Sequence, residues 1–169
     1  MIHSTGANPS ALTPENAHAT LKRRAKLLAD IRAYFFDQDV LEVETPLLRR
    51  YGVSDPHVDN LSLTIPSSGG AEYFLQTSPE YAMKQLLANG SGSIYQICKA
   101  FRDDSIGRLH NVEFTMLEWY RVDFNMLELI DDVRRVAELA VGNRSFEIVS
   151  YREAFIRYAD VDPFAANLS

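Results

Sequence analysis

IYQICKAFRDDSIGRLHNVEFTMLEWYRVDF, residues Ile94 to Phe124, reads as two strand-like runs around a polar turn. Side chains two apart on a strand point the same way, so one face can be read straight off the text. This period predicts Arg102 and Asp104 together on the first strand, and Phe114, Met116, Glu118 and Tyr120 together on the second. The opposite face takes Phe101, Thr115, Leu117 and Trp119, which suit a core. A sheet with one apolar face and one lined by Arg, carboxylates and aromatics can serve as a ligand floor. The alternative is a solvated hairpin face carrying weak cross-strand ion pairs.

Outward from this stretch, the chain alternates helices and strands. The spacing of Leu21, Ala25, Leu28, Ile31 and Phe35 predicts a helix, with Lys22, Arg23, Arg24 and Lys26 on its solvated face. Residues 1–18, rich in Ser, Thr, Asn, Pro and Ala, are expected to form a flexible lead-in. Val40 to Thr45 alternates and stops at Pro46, which marks a strand end or an edge. Arg49 to Asn60 reads as a loop. His57 between Asp55 and Asp59 is too sparse a set to define a metal site there. Short strands are expected at Leu61–Ile65 and Glu72–Gln76, around the turn Pro66 to Gly70. Thr77-Ser78-Pro79-Glu80 carries a capping-box pattern before a helix from Tyr81 to Ala88, which makes capping an alternative use of Glu80. After the hairpin, Asn125 can cap an amphipathic helix that turns Leu127, Ile130, Val133, Ala137 and Ala140 inward. Phe146 to Val149 looks strand-like, and Ser150 with Glu153 opens a last helix. This order indicates an α+β fold with a mainly antiparallel sheet.

Composition narrows the function classes. The 169 residues suit one domain, and 46% hydrophobic with 24% charged residues are globular values. A net charge of −6 argues against sequence-independent nucleic-acid binding. Cys98, the single cysteine, excludes an intramolecular disulfide or a cysteine zinc cluster. The N-terminus lacks a basic region followed by an apolar one, so a soluble, cytoplasmic protein is expected. Rossmann and P-loop glycine patterns and the Gly-x-Ser-x-Gly elbow are absent from the sequence.

Phe101-Arg102-Asp103-Asp104, a short loop, and His110-Asn111-Val112-Glu113-Phe114-Thr115-Met116-Leu117-Glu118-Trp119-Tyr120-Arg121 together resemble motif 2 of class II aminoacyl-tRNA synthetases of the lysyl type. Val40-Leu41-Glu42-Val43-Glu44-Thr45-Pro46 is similar to the family's motif 1, which builds its dimer interface, and Thr77-Ser78-Pro79-Glu80-Tyr81 to its amino-acid-binding loop. The Glu-Trp-Tyr-Arg ending looks nearest to the shortened branch of the family, the β-lysine ligases that act on elongation factor P. The helix at Leu21 leaves no room before it for an anticodon-binding domain, which favours the ligase branch and makes tRNA an unexpected partner.

The resemblance, running from about Leu21 to Phe164, implies a class II synthetase-like antiparallel sheet flanked by helices. Residues 19–169 would be the N-terminal part of a catalytic domain, with motifs 1 and 2 but no motif 3, so that the fold is incomplete at the C-terminus. It implies ATP-dependent activation of lysine or β-lysine as an adenylate and transfer to a lysine of elongation factor P, impaired in so short a chain. Arg102 would be the catalytic residue, on the α-phosphate. Asp103, Asp104, His110, Asn111 and Phe114 would join it in binding ATP, with Asp104 at the adenine amino group and Phe114 stacked on the purine. Arg108 or His110 could reach the outer phosphates. Ser78, Pro79, Glu80, Glu118 and Tyr120 would hold the amino-acid substrate. Mg2+ ligands are expected in the family's second half and none in this chain, and a homodimer is expected through motif 1. Two alternatives remain: a lysyl-tRNA synthetase fragment, and a non-catalytic dimerisation or binding module. The family commonly has Asn-Glu where Asp103-Asp104 stands, and Asp is shorter by one methylene, about 1.5 Å, so the adenine contact could be lost or bridged by water.

Overall fold

The computed structural model describes residues 14–104, 107 and 110–165. It opens with helix α1, Pro14–Asp37. Residues 14–18, expected in the flexible lead-in, are therefore helical, and residues 1–13 of that lead-in lie outside the described residues. Ile31 and Phe35 of the expected apolar stripe are buried, whereas Leu21 and Ala25 lie exposed on the outer turns. α1 ends in a Schellman motif. The Val40 N–H donates to the Phe35 carbonyl at 2.9 Å and Asp39 N–H to that of Phe36 at 3.1 Å, with Asp39 left-handed at φ 54°. This cap drops Val40 onto Phe35 in the core and aims the chain into β1.

Among the described residues, six strands form two three-stranded sheets. In the first, β1 (Leu41–Glu42) runs parallel to β5 (Ile94–Phe101), which pairs antiparallel with β6 (Glu113–Tyr120). In the second, β4 (Ala71–Leu75) lies between β2 (Leu48–Arg49) and β3 (Ser62–Ile65), both antiparallel to it. Backbone bonds tie the two together: the Phe101 N–H donates to the Gln76 carbonyl at 2.9 Å, and the Asp103 N–H to that of Asp59 at 3.0 Å. Helices α2 (Glu80–Ala88), α3 (Met126–Val141) and α4 (Tyr151–Ala159) are the other α-helices of the described residues. The architecture is α+β and mainly antiparallel, with the β1–β5 pair as its parallel element.

The hairpin's expected apolar face is its core face. Tyr95, Ile97, Leu117 and Trp119 pack with Ile31, Phe35 and Val40, and the Phe35 and Tyr95 rings stack with centroids 4.4 Å apart. Fully burying a side chain such as Phe35 or Val40 is worth about 1.5–3 kcal/mol, and the ring stack adds about 0.5–1.5 kcal/mol.

Three local expectations change. Thr77 does not cap α2: Pro79 occupies the N-cap position without a side-chain bond, and Glu80 is the first helical residue. Buried Thr77 lends its carbonyl to Arg102 instead. Phe146 to Val149 forms no strand, because no neighbouring strand meets it among the described residues. In α3, Asn125 caps as expected, in a full capping box with Glu128, but Leu127, Val133 and Ala140 are exposed. The helix instead turns inward Val136, which packs on the core, and Asp132, whose partners are Tyr34 and Arg121. Arg121, one residue beyond β6, is buried; an isolated guanidinium there would be costly, so the helix is oriented by a charge rather than by its leucines.

Candidate functional site

The register of β5 and β6 builds one floor. Ala100 lies opposite Phe114, Cys98 opposite Met116, Gln96 opposite Glu118 and Ile94 opposite Tyr120, all on the face away from α1. Tyr120 Oη donates to Glu118 Oε1 at 2.6 Å, as two residues on the same side of a strand can. Helix α2 brings a second carboxylate: Glu80, in its first turn, receives Lys84 Nζ at 2.5 Å and acts electrostatically on Glu118.

The electrostatics of this corner follow from burial. Partial burial raises the Glu118 carboxyl above its ordinary value of 4.5; the Tyr120 hydrogen bond opposes that, and the Glu80 charge adds to it. Burial, then the hydrogen bond to Glu118, pushes the Tyr120 hydroxyl up so that it stays protonated. Two carboxylates and a neutral phenol can accept N–H donors from a small cation through charge-assisted bonds. Lys84 was not singled out in the sequence, although its four-residue spacing from Glu80 is an ordinary helical pairing signal. Gln96 was also missed. It is buried, accepts from Thr45 Oγ1 at 3.0 Å, and its Nε2 has no partner among the described residues. Its position opposite Glu118 was the available signal.

At the other end of the floor, Arg102 stands just past the end of β5 rather than within it, and Asp103 and Asp104 follow as exposed, non-strand residues. Arg102 and Asp104 therefore do not share a strand face: the chain leaves the ladder after the Arg102 N–H donates to the Val112 carbonyl at 3.0 Å, and Asp103 turns to Asp59. The Arg102 guanidinium lies 5.3 Å from the Phe114 ring centroid, and its Nε reaches the Thr77 carbonyl at a long 3.4 Å. Its other N–H groups meet no acceptor among the described residues. A guanidinium beside an aromatic face fits a phosphate next to a planar ring. His110 and Asn111 are exposed on the far side of the turn. Arg108 lies outside the described residues.

Ser78 is half-buried and Pro79 buried ahead of Glu80, and the Glu80 N–H donates to Ser78 Oγ at 3.5 Å. The structure thus brings Glu80, Glu118 and Tyr120 into one corner and Arg102 with Phe114 into another, on the same sheet face. Among the described residues no three His, Cys, Asp or Glu side chains converge as metal ligands. No described helix is long and apolar enough to cross a membrane.

Comparison with known proteins bears on this arrangement. The family described as class II tRNA synthetases (D, K and N) matches residues 10–163. The chain is 45% identical over 156 residues to the elongation factor P–(R)-β-lysine ligase of Photorhabdus laumondii, covering 90% of this chain and 48% of that relative. It is 44% identical over 157 residues to the protein of the same name from Yersinia enterocolitica, covering 91% of this chain and 48% of the relative. The Edwardsiella ictaluri protein of that name is 45% identical over 157 residues, again with 91% and 48% coverage. The chain spans about half the length of the curated relatives it matches.

Proposed function

This chain belongs to the family of class II tRNA synthetases (D, K and N), and from that membership we propose that it carries one half of the active site of an ATP-dependent lysine or β-lysine ligase acting on elongation factor P. The observation that supports this most is the corner where Glu80, Glu118 and Tyr120 meet, on the same floor as Arg102 and Phe114. A substrate with two ammonium groups and a carboxylate would place its amines at the acidic corner and its carboxylate toward Arg102.

In the proposed reaction the substrate carboxylate oxygen attacks the α-phosphorus of ATP. The bond to the β-phosphate oxygen breaks, and pyrophosphate leaves an acyl-adenylate. The amine of the acceptor lysine then attacks the acyl carbon, loses a proton and displaces AMP. The protein's part is positioning and charge neutralisation. Arg102 would oppose the charge building on the α-phosphate, and Phe114 would carry the purine. Asp103, Asp104, His110 and Asn111 would border the nucleotide. Glu80, Glu118 and Tyr120 would hold the amines, with Ser78 and Pro79 shaping that pocket. Mg2+ would screen the phosphates, held by residues other than these.

The same reading includes a homodimer through the motif 1 face, in the cytoplasm. Phe36 and Leu41 are 82% and 58% exposed there, beside a cleft of about 700 Å3 between α1 and β1. Exposed apolar side chains around a cleft are what a second copy would cover.

ATP–pyrophosphate exchange by the 169-residue chain, with lysine and β-lysine offered separately, tests the proposal. The expected exchange is far below that of the Photorhabdus laumondii relative. A matching rate would overturn the half-site reading, and exchange stimulated by leucine instead would overturn the substrate assignment.

A further inference from the structure

Gln96 lies in the floor with its amide donors unused. Its side chain is 1% exposed, and its Oε1 accepts from Thr45 Oγ1 at 3.0 Å. Thr45, just past β1, is itself buried, so this bond fixes the orientation of the amide. The Nε2 group and its two N–H bonds then face the other way, where they meet no acceptor among the described residues. Buried donors are almost always paired, so this one calls for a partner.

The register of the hairpin supplies a candidate. Gln96 stands directly opposite Glu118, and side chains opposed in this way have Cβ atoms about 4.5–5.5 Å apart on one face. Glu118 commits Oε1 to the Tyr120 hydroxyl at 2.6 Å, while its Oε2 takes no hydrogen bond among the described residues. The other neighbour is the Cys98 thiol, two residues along β5 on the same side. Burial raises that thiol, the Gln76 amide lowers it, the Glu118 charge raises it and Gln96 lowers it, so the Gln96 amide stands near it without bonding it. The sulfur is a weak acceptor and already receives Gln76 Nε2 at 3.3 Å. A carboxylate is a charged and stronger acceptor. The last torsion of a glutamate is broad and roughly two-fold, so Oε2 can turn toward Gln96 while Oε1 keeps Tyr120.

We infer that Gln96 is a positioning residue for the amine corner: oriented by Thr45, its amide donates to Glu118 Oε2, so that Gln96 and Tyr120 hold the two oxygens of one carboxylate. The bond runs from the segment before Pro46, through β5, to the β6 residue proposed to hold a substrate amine. A donor to the charged form favours that form, so Gln96 offsets part of the rise that burial imposes on the Glu118 carboxyl. Cys98 on β5, Tyr120 on β6, and Glu80 with Lys84 on α2 are the titratable groups that face this carboxyl. The inference rests on the ligase reading for what Glu118 holds. The bond itself needs neither ATP nor amino acid, and it is tested without them.

The test is an NMR titration of the 169-residue chain that follows the Glu118 carboxyl carbon and the Gln96 side-chain amide protons. Both are expected to follow one midpoint. Gln96→Met keeps the length of the side chain and removes both N–H bonds. It should raise the Glu118 midpoint by at least ~0.5 pH unit, about 3-fold in proton affinity. A glutamine that only filled space would, when replaced, change the melting temperature and leave the midpoint in place. Thr45→Val removes the hydroxyl that orients the amide and should move the midpoint the same way by less. That variant decides the matter if Gln96→Met does not fold. An unmoved midpoint in the variant that folds would overturn the inference. So would amide signals that ignore the Glu118 titration, or that shift on Cys98→Ala instead. Failure of the ligase reading would show in the pyrophosphate exchange assay and not in this titration.

Discussion

At the scale of single residues, Glu118 carries the clearest conflict between stability and use. Its carboxyl is raised by burial, so the folded state holds the proton to higher pH than the unfolded chain does. Below the ordinary value of 4.5 both states are protonated and nothing is lost. As pH rises past it the unfolded state ionises first, and stability falls until the folded carboxyl ionises too. Glu118→Gln is therefore expected to raise the melting temperature more at pH 7 than at pH 4, and to weaken binding of a diamino acid. A variant that melts lower than the parent at pH 7 would count against a strained carboxylate. Asp132 is the opposite case. It and Arg121 have side chains only 4% and 6% exposed, with Tyr34 donating to the same carboxylate. Asp132→Ala would leave a buried guanidinium unpaired, at about 3–5 kcal/mol, a large part of the roughly 5–15 kcal/mol that holds a domain together. Asp131→Ala, one residue away on the exposed side, should change the urea midpoint little. Equal effects of the two would show that Arg121 finds water or another partner.

Among elements, the hairpin was readable from text because a strand's period is two, and a binary pattern leaves only the choice of which face is core. Tyr95, Ile97, Leu117 and Trp119 resolved that choice by meeting α1. Helix α3 was harder. Its apolar residues suggest one stripe, but the salt bridge from Asp132 to Arg121 turns it by about a quarter of a turn. Its N-terminus was legible because capping is a local bond: Asn125 Oδ1 accepts from the Leu127 and Glu128 N–H groups at 2.9 and 3.1 Å. Asn125→Ala should cost about 1 kcal/mol, read as a lower urea midpoint with an unchanged slope. An unaltered midpoint would mean that α3 is held by its packing alone. The α2 cap misled for a related reason. The sequence spacing fitted a capping box, but Thr77 is buried with its carbonyl turned to Arg102, and Pro79 takes the N-cap position.

For the whole molecule, the association state is the measurable consequence. The proposed homodimer, in which a second copy covers Phe36 and Leu41, predicts twice the chain mass in sedimentation, and Phe36→Glu should halve it without unfolding the chain. A strictly monomeric parent would remove the homodimer from the proposed function. The sequence by itself determined the α+β class, the core face of the hairpin, and the resemblance of its motifs to a family that the comparison then matched over residues 10–163. These depend on periods and short spacings, which are local along the chain. Only the tertiary structure decided that Glu80 comes within electrostatic reach of Glu118, that Arg102 leaves its strand to lie by Phe114, and that Asp132 rather than Leu127 faces inward. Each is a contact between distant segments, where the burial of a charge or a carbonyl outweighs the local pattern.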